Sequence, residues 1–293
     1  MPQHPILRYH GSKWKIAPWV IEHFPPHLVY VEPFGGAASV LCRKPPARSE
    51  VYNDLDGEIV NVFRVLRDPA AAASLAEQCR LTPYARDELE LASLPCDDPI
   101  EQARRTLFRA WASFGSAGAT GGRTGFRAHT GPNSRYAPPT ELWARVCEIV
   151  PAFTERFRNV VIENRPAIEV MRQHDSPETL HYVDPPYVPD TRAFEGGRYY
   201  RHELTSDEHK ALLDELLALK GMVVLSGYQN TLYAERLHAW QHAERRVCAS
   251  GRHGGVPRTE ALWINPAAQK RLHQQDLFDF DTPTPPALAE ARP

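Results

Sequence analysis

The chain has 293 residues, enough for one large α/β domain or a core domain carrying an insertion, and enough to bury a core without disulfides. Its five cysteines (Cys42, Cys79, Cys96, Cys147, Cys248) are scattered with no C-x-x-C pair, and its thirteen histidines show no ligand spacing. No metal is therefore predicted, and a reducing compartment is expected. No apolar run is long enough to span a bilayer, there is no signal-peptide pattern, and a net charge of −2 does not announce a nucleic-acid binder.

In chain order, Leu28–Val31 reads as a buried strand, followed by Glu32-Pro33-Phe34-Gly35-Gly36-Ala37-Ala38: a tight glycine turn that opens a helix. Small residues there let the backbone approach a ligand, although an ordinary βα turn would also use them. The text is not G-x-G-x-x-G, which disfavours a nicotinamide dinucleotide. Glu50–Asp54 is a second strand, tipped by an acid. In a nucleoside-binding α/β fold that acid can take the ribose hydroxyls; as a structural residue it would be a helix N-cap. A helix over Gly57–Leu66 and a helical, proline-broken stretch from Pro69 to about Thr106 come next.

From Phe114 to Pro139 the chain is rich in Gly, Ser, Thr and Arg without any period, and such long loops are more often functional than idle. Between Thr106 and Thr140 stand Arg109, Arg123, Arg127 and Arg135 with no acidic residue. GC-rich coding explains arginine over lysine but not the missing acids, so this stretch is a candidate DNA phosphate-binding face. A helix over Glu141–Phe157 leads to a strand at Val160–Ile162.

The most informative element follows. Leu180-His181-Tyr182-Val183 reads as a strand ending in Asp184-Pro185-Pro186-Tyr187. The carboxylate can accept a hydrogen bond from an exocyclic amine. Two prolines fix the backbone and remove its N–H donors, leaving carbonyls free to accept. The tyrosine offers a ring on which a flipped base can stack. A turn after a strand would use the same residues. Beyond a flexible Val188–Arg201, Thr205–Glu208 is a capping box opening a helix that stops at Lys220-Gly221. Met222–Ser226 and Ala261–Ile264 are further strands. Strands alternating with helices imply a mostly parallel sheet covered on both faces.

Taken together, the order of these elements resembles the Dam-type (D12 class) DNA adenine-N6 methyltransferases, phage and prophage members in particular. The resemblance covers about residues 6–266: Arg8–Lys15 is similar to the family's N-terminal cofactor motif, Val31–Ala37 to its glycine motif, and Asn53–Glu58 to its acidic segment. It implies a Rossmann-like methyltransferase sheet with helices on both faces and an inserted, mainly helical and loop target-recognition domain. Tyr9, Lys13, Glu32, Pro33, Phe34, Gly35, Gly36, Asp54 and Asp184 would hold S-adenosylmethionine, with Lys13 on the methionine carboxylate and Asp54 on the ribose. Asp184, the Pro185 carbonyl, Pro186 and Tyr187 would hold the target adenine. Arg109, Arg123, Arg127 and Arg135 would face double-stranded DNA. Ser113–Tyr136 departs from the family's hairpin text, so GATC recognition does not carry over.

These readings divide the chain into a catalytic domain (1–66 and 155–268), an inserted recognition region (67–154) and a disordered tail (269–293). Within that tail, Gln274–Phe278 resembles peptides that bind the bacterial sliding clamp. A cytoplasmic, nucleoid-associated enzyme is expected, with no membrane partner. N4-cytosine or RNA adenine methylation and a catalytically silent DNA- or clamp-binding protein are the alternatives.

Overall fold

The computed structural model describes residues 1–115, 117–122, 124–128, 137–188, 200–251 and 254–279. Its centre is a seven-stranded sheet built from β1 (Val29–Glu32), β2 (Ser49–Asn53), β3 (Val160–Glu163), β4 (Thr179–Val183), β5 (Met222–Gly227), β6 (Gln241–Gly251) and β7 (Gly254–Ile264). The spatial order is β3-β2-β1-β4-β5-β7-β6. Strands β3, β2, β1, β4 and β5 run parallel, while β7 and β6 close one edge antiparallel. Helices cover both faces, as the expected Rossmann-like α/β fold requires. The chain winds outward from β1 through β2 to β3, then returns to β4 beside β1. That reversal is a topological switch point, where open α/β sheets bind ligands at the strands' carboxyl ends. The glycine turn leaves the end of β1 and Asp184-Pro185-Pro186-Tyr187 leaves the end of β4, so topology alone brings the two motifs together.

The parallel strands are apolar because both faces are covered: Val31, Val51, Val183 and Leu225 are wholly or almost wholly buried. Helix starts follow local chemistry. Asp68 and Asp98 each cap a helix that begins with proline, accepting from Ala71 N at 2.8 Å and Glu101 N at 2.7 Å. The expected capping box is formed, with Thr205 N donating to Glu208 and Glu208 N donating to Thr205.

The segment between the helix Gly57–Arg67 and β3 is a set of helices, Pro69–Leu81, Arg86–Ala92, Pro99–Ala112, Pro139–Ala144 and Val146–Phe157. Among the described residues it has no core of its own. Leu75, Leu107, Phe108 and Trp143 share one apolar cluster with Tyr52 and Phe63 of the sheet side. The division at 154/155 falls inside the helix Val146–Phe157, whose Phe157 stacks on Phe63 at 4.7 Å. Arg156 of the same helix meets buried Glu50 on β2 at 2.5 Å, and Lys44 meets Glu50 at 2.6 Å. These helices are thus welded to the sheet.

Two expectations change. The last strand was read as Ala261–Ile264 alone; β7 instead starts at Gly254 and pairs along its whole length with β6. The stretch read as a tail from Gln269 begins as a helix, Pro266–Asp279. The side chains from Gln275 on, and residues 280–293, lie outside the described residues, so nothing in the fold speaks for a sliding-clamp contact at Gln274–Phe278. Among the described residues, no helix is long and apolar enough to cross a membrane and no cluster could hold a metal ion.

Candidate active site

A cavity of about 600 Å³ opens at the switch point, within the size range of small-molecule sites. Its floor is the glycine turn, and the end of β2 holds that turn in place. Asn53 Nδ2 donates to Pro33 O at 2.8 Å, and Gly35 N donates to Asn53 O at 2.7 Å. Tyr52 Oη donates to Gly36 O at 2.7 Å, and Gly36 N donates to Asp54 Oδ2 at 2.8 Å. The loop lies flat on two aromatic rings, which explains its glycines. A Cβ on Gly35 would run into the Tyr52 ring; one on Gly36 would sit 2.7 Å from Tyr9, at a φ of +46° that side chains avoid.

Asp54 faces the cavity and also holds Asp56 N through Oδ1 at 2.8 Å. Burial, opposed by those two backbone donors, pushes its carboxyl up to about 6. Asp56 caps the helix Gly57–Arg67, so of the two acids it is Asp56 that takes the N-cap role. Glu32 lines the cavity too, but its Oε2 accepts from Tyr30 Oη at 2.8 Å and Leu41 N at 3.0 Å. Burial raises its carboxyl to about 8, so it is neutral near pH 7. Phe34 packs on the second apolar cluster under β4 and β5.

Across the cavity, Lys13 reaches 171 residues along the chain to Asp184. Its Nζ is 2.8 Å from both Oδ1 and Oδ2 and donates to Gly11 O at 3.0 Å. Lys13 is only 4 % exposed. Burial works against its charge, but Asp184 and Glu260 outweigh it and hold its pKa above the ordinary value. Burial likewise raises the Asp184 carboxyl, with Lys13 pulling the other way. Each Asp184 oxygen keeps a second lone pair beyond the one facing Lys13.

Asp184 and Pro186 line the cavity, while Pro185 and Tyr187 lie beside it. Tyr187 Oη donates to Glu260 Oε2 at 2.6 Å, Lys13 Nζ stands 4.9 Å from the Tyr187 ring centre, and Tyr228 meets that ring edge-on at 4.4 Å. Glu260 and Tyr228 were not singled out from the sequence. Tyr228 could have been, since it follows the carboxyl end of β5; no signal marks Glu260, which is defined only by the register of β7.

Of the four arginines expected on DNA, Arg123 and Arg135 lie outside the described residues. Arg109 corrects the expectation. It is buried, pairs with Glu58 and donates to Ala92 O at 2.6 Å, tying the helix Pro99–Ala112 to the helix Gly57–Arg67. A guanidinium so engaged is not offered to phosphate. Arg127 is half-exposed and stands beside Arg8, whose pKa falls to about 10 through burial first and Arg127 second. Two neighbouring guanidiniums repel each other and are relieved by an anion.

Residues 9–91 match the family model for D12 class N6 adenine-specific DNA methyltransferase. Over 245 residues the chain is 23% identical to the DNA adenine methylase of Vibrio cholerae serotype O1, in strain ATCC 39541 (Classical Ogawa 395) and in strain ATCC 39315 (El Tor Inaba N16961). In each case the similarity covers 80% of this chain and 85% of the relative. The matched family span holds Tyr9, Lys13, the glycine turn and Asp54. The resemblance read from the sequence is borne out, and together these likenesses indicate an adenine-specific DNA methyltransferase.

Proposed function

We propose that this chain transfers a methyl group from S-adenosylmethionine to the exocyclic N6 of an adenine flipped out of duplex DNA, with Asp184 and the Pro185 carbonyl as amine acceptors. DNA adenine-N6 methylation is the activity supported by the family match and the named relatives; the residue roles are our reading. One observation carries them: the glycine turn after β1 and the Asp184 tetrapeptide after β4 meet across the switch point, joined by the Lys13–Asp184 pair.

The cavity fits the cofactor chemically. Flat glycine backbone suits a close approach, and Asp54 retains lone pairs for hydroxyl donors. When bound, the cofactor supplies an electrophilic methyl carried on a sulfonium. The protein's task is positioning. Asp184 accepts one N6 proton in a hydrogen bond and Pro185 O accepts the other. Pulled toward two acceptors, the nitrogen lone pair leaves conjugation with the ring and points at the incoming carbon. Lys13 favours the ionised, acceptor-only form of Asp184 in a site where burial favours the acid form. Tyr187, oriented by Glu260, offers its ring to the base. No covalent intermediate on the protein is needed. Arg8 and Arg127 supply an anion-seeking pair on the side where the inserted helices would meet the duplex.

The test is single-molecule sequencing of DNA from cells expressing the protein, with cofactor binding followed by calorimetry. Methylated adenines within one short motif are expected. Soluble protein that binds the cofactor yet leaves adenine unmodified would refute the reading and turn attention to cytosine N4 or RNA.

A further inference from the structure

The β6–β7 hairpin projects beyond the sheet. Only Ala261–Ile264 of β7 pair with β5. The seven residues Gly254–Glu260 pair with β6 alone, so the ribbon runs about 24 Å beyond the sheet at about 3.4 Å per residue. Its charge is one-sided. From Arg245 to Thr259 the sequence carries Arg245, Arg246, Arg252 and Arg258 with no acidic residue, in a chain of net charge −2. Arg245 and Arg246 are exposed, and neither side chain makes an ion pair or hydrogen bond among the described residues. Adjacent strand residues point to opposite faces. Arg245 lies opposite Glu260 and Arg246 opposite Thr259, so the ribbon is basic on both faces.

The hairpin is also coupled to the reaction centre. Glu260, at its base, accepts the Tyr187 hydroxyl. Arg258, two residues out on the same face, lies 5.5 Å from the centre of the Tyr228 ring, which in turn meets Tyr187. A second cavity, lined by Val188, Tyr228, Asn230 and Arg258, opens here. Charge on an edge ribbon also discourages edge-to-edge aggregation. Either sign would serve that purpose, however, and beyond the basal Arg245–Glu260 pair this ribbon carries only arginines as charged residues.

We infer that the β6–β7 hairpin is a second DNA-contacting element, separate from the inserted helices, which grips the phosphates flanking the flipped base through Arg245 and Arg246. A two-stranded ribbon fits the major groove, and guanidiniums on both faces would meet its phosphate walls. About 24 Å of ribbon matches the rise of about seven base steps. This rests on reading the protein as a DNA methyltransferase. Phosphate contacts hold position and carry no sequence information, so the hairpin contributes affinity rather than site choice.

The experiment is duplex binding by R245A/R246A, followed by fluorescence anisotropy across salt concentrations, with cofactor affinity and unfolding midpoint as controls for an intact fold. Affinity should fall at least about tenfold at low salt, alike on target and non-target duplexes, and the salt slope should shrink by about 1.8, at about 0.9 per phosphate contact. R245K/R246K should recover most of the binding, since a phosphate needs charge more than a fork. Unchanged affinity and slope in R245A/R246A would overturn the assignment, as would a loss confined to one target sequence. Wild-type protein that fails to methylate DNA would remove the functional reading itself, before any variant is compared.

Discussion

Replacing Asp184 should cost the protein part of its stability as well as its chemistry, and the two losses can be separated. The carboxylate is the counterion of Lys13, which is 4 % exposed and 2.8 Å away. Removing one partner of such a pair leaves an uncompensated buried charge, at about 3–5 kcal/mol, a large fraction of a typical total of about 5–15 kcal/mol. Asp184→Ala should therefore lower the urea midpoint markedly, and Lys13→Met should do the same. The double variant removes both charges and should lose less than the sum of the two by at least about 1.5 kcal/mol, the worth of a charged hydrogen bond. Unfolding followed by tryptophan fluorescence gives all four corners of the cycle. Methylation assayed on the same samples should fall at least about 100-fold in Asp184→Asn, which keeps the shape and one acceptor but loses the charge. Single losses that add within about 0.5 kcal/mol would mean that the pair is not coupled and refute the argument.

Further outcomes follow from the same geometry. Asp54 has its carboxyl raised to about 6, and hydroxyl donors favour the ionised form. Cofactor binding should thus release a proton and weaken as the pH drops below about 6; calorimetry would detect this, and a flat affinity from pH 7 to 5 would count against Asp54 as the hydroxyl acceptor. Glu32, raised to about 8 by burial, stays protonated in the fold while the unfolded chain ionises above its ordinary 4.5. Stability should accordingly decline as the pH rises from about 4.5 to 8, and Glu32→Gln should flatten that decline in urea titrations. Arg109→Met should destabilise by about 2 kcal/mol, the scale of its charged hydrogen bonds, yet leave the salt slope of DNA binding untouched; a reduced slope would return Arg109 to the DNA face.

Much of the site was legible because its chemistry sits in contiguous text. Glu32–Gly36 and Asp184–Tyr187 are runs whose backbone needs are local: glycines to lie on rings, prolines to remove donors. The parallel strands were legible for a related reason, since burial on both faces makes them short, continuous apolar runs such as Met222–Leu225. The capping box at Thr205 is likewise a purely local device.

What the sequence determined by itself is therefore the chemistry at each strand end and the α/β alternation that orders the strands. Tertiary structure decided how distant residues are paired. Lys13 and Asp184 are 171 positions apart, and only the return of the chain from β3 to β4 beside β1 makes them an ion pair. Arg109 reads as a free cation in a stretch without acids, because its partner Glu58 lies 51 residues earlier and is supplied by packing. The β6–β7 ribbon escaped because Glu244, Arg245 and Arg246 are consecutive exposed residues that leave no apolar alternation to read. A periodicity records burial, and where function lies on an unburied element only the fold reveals it.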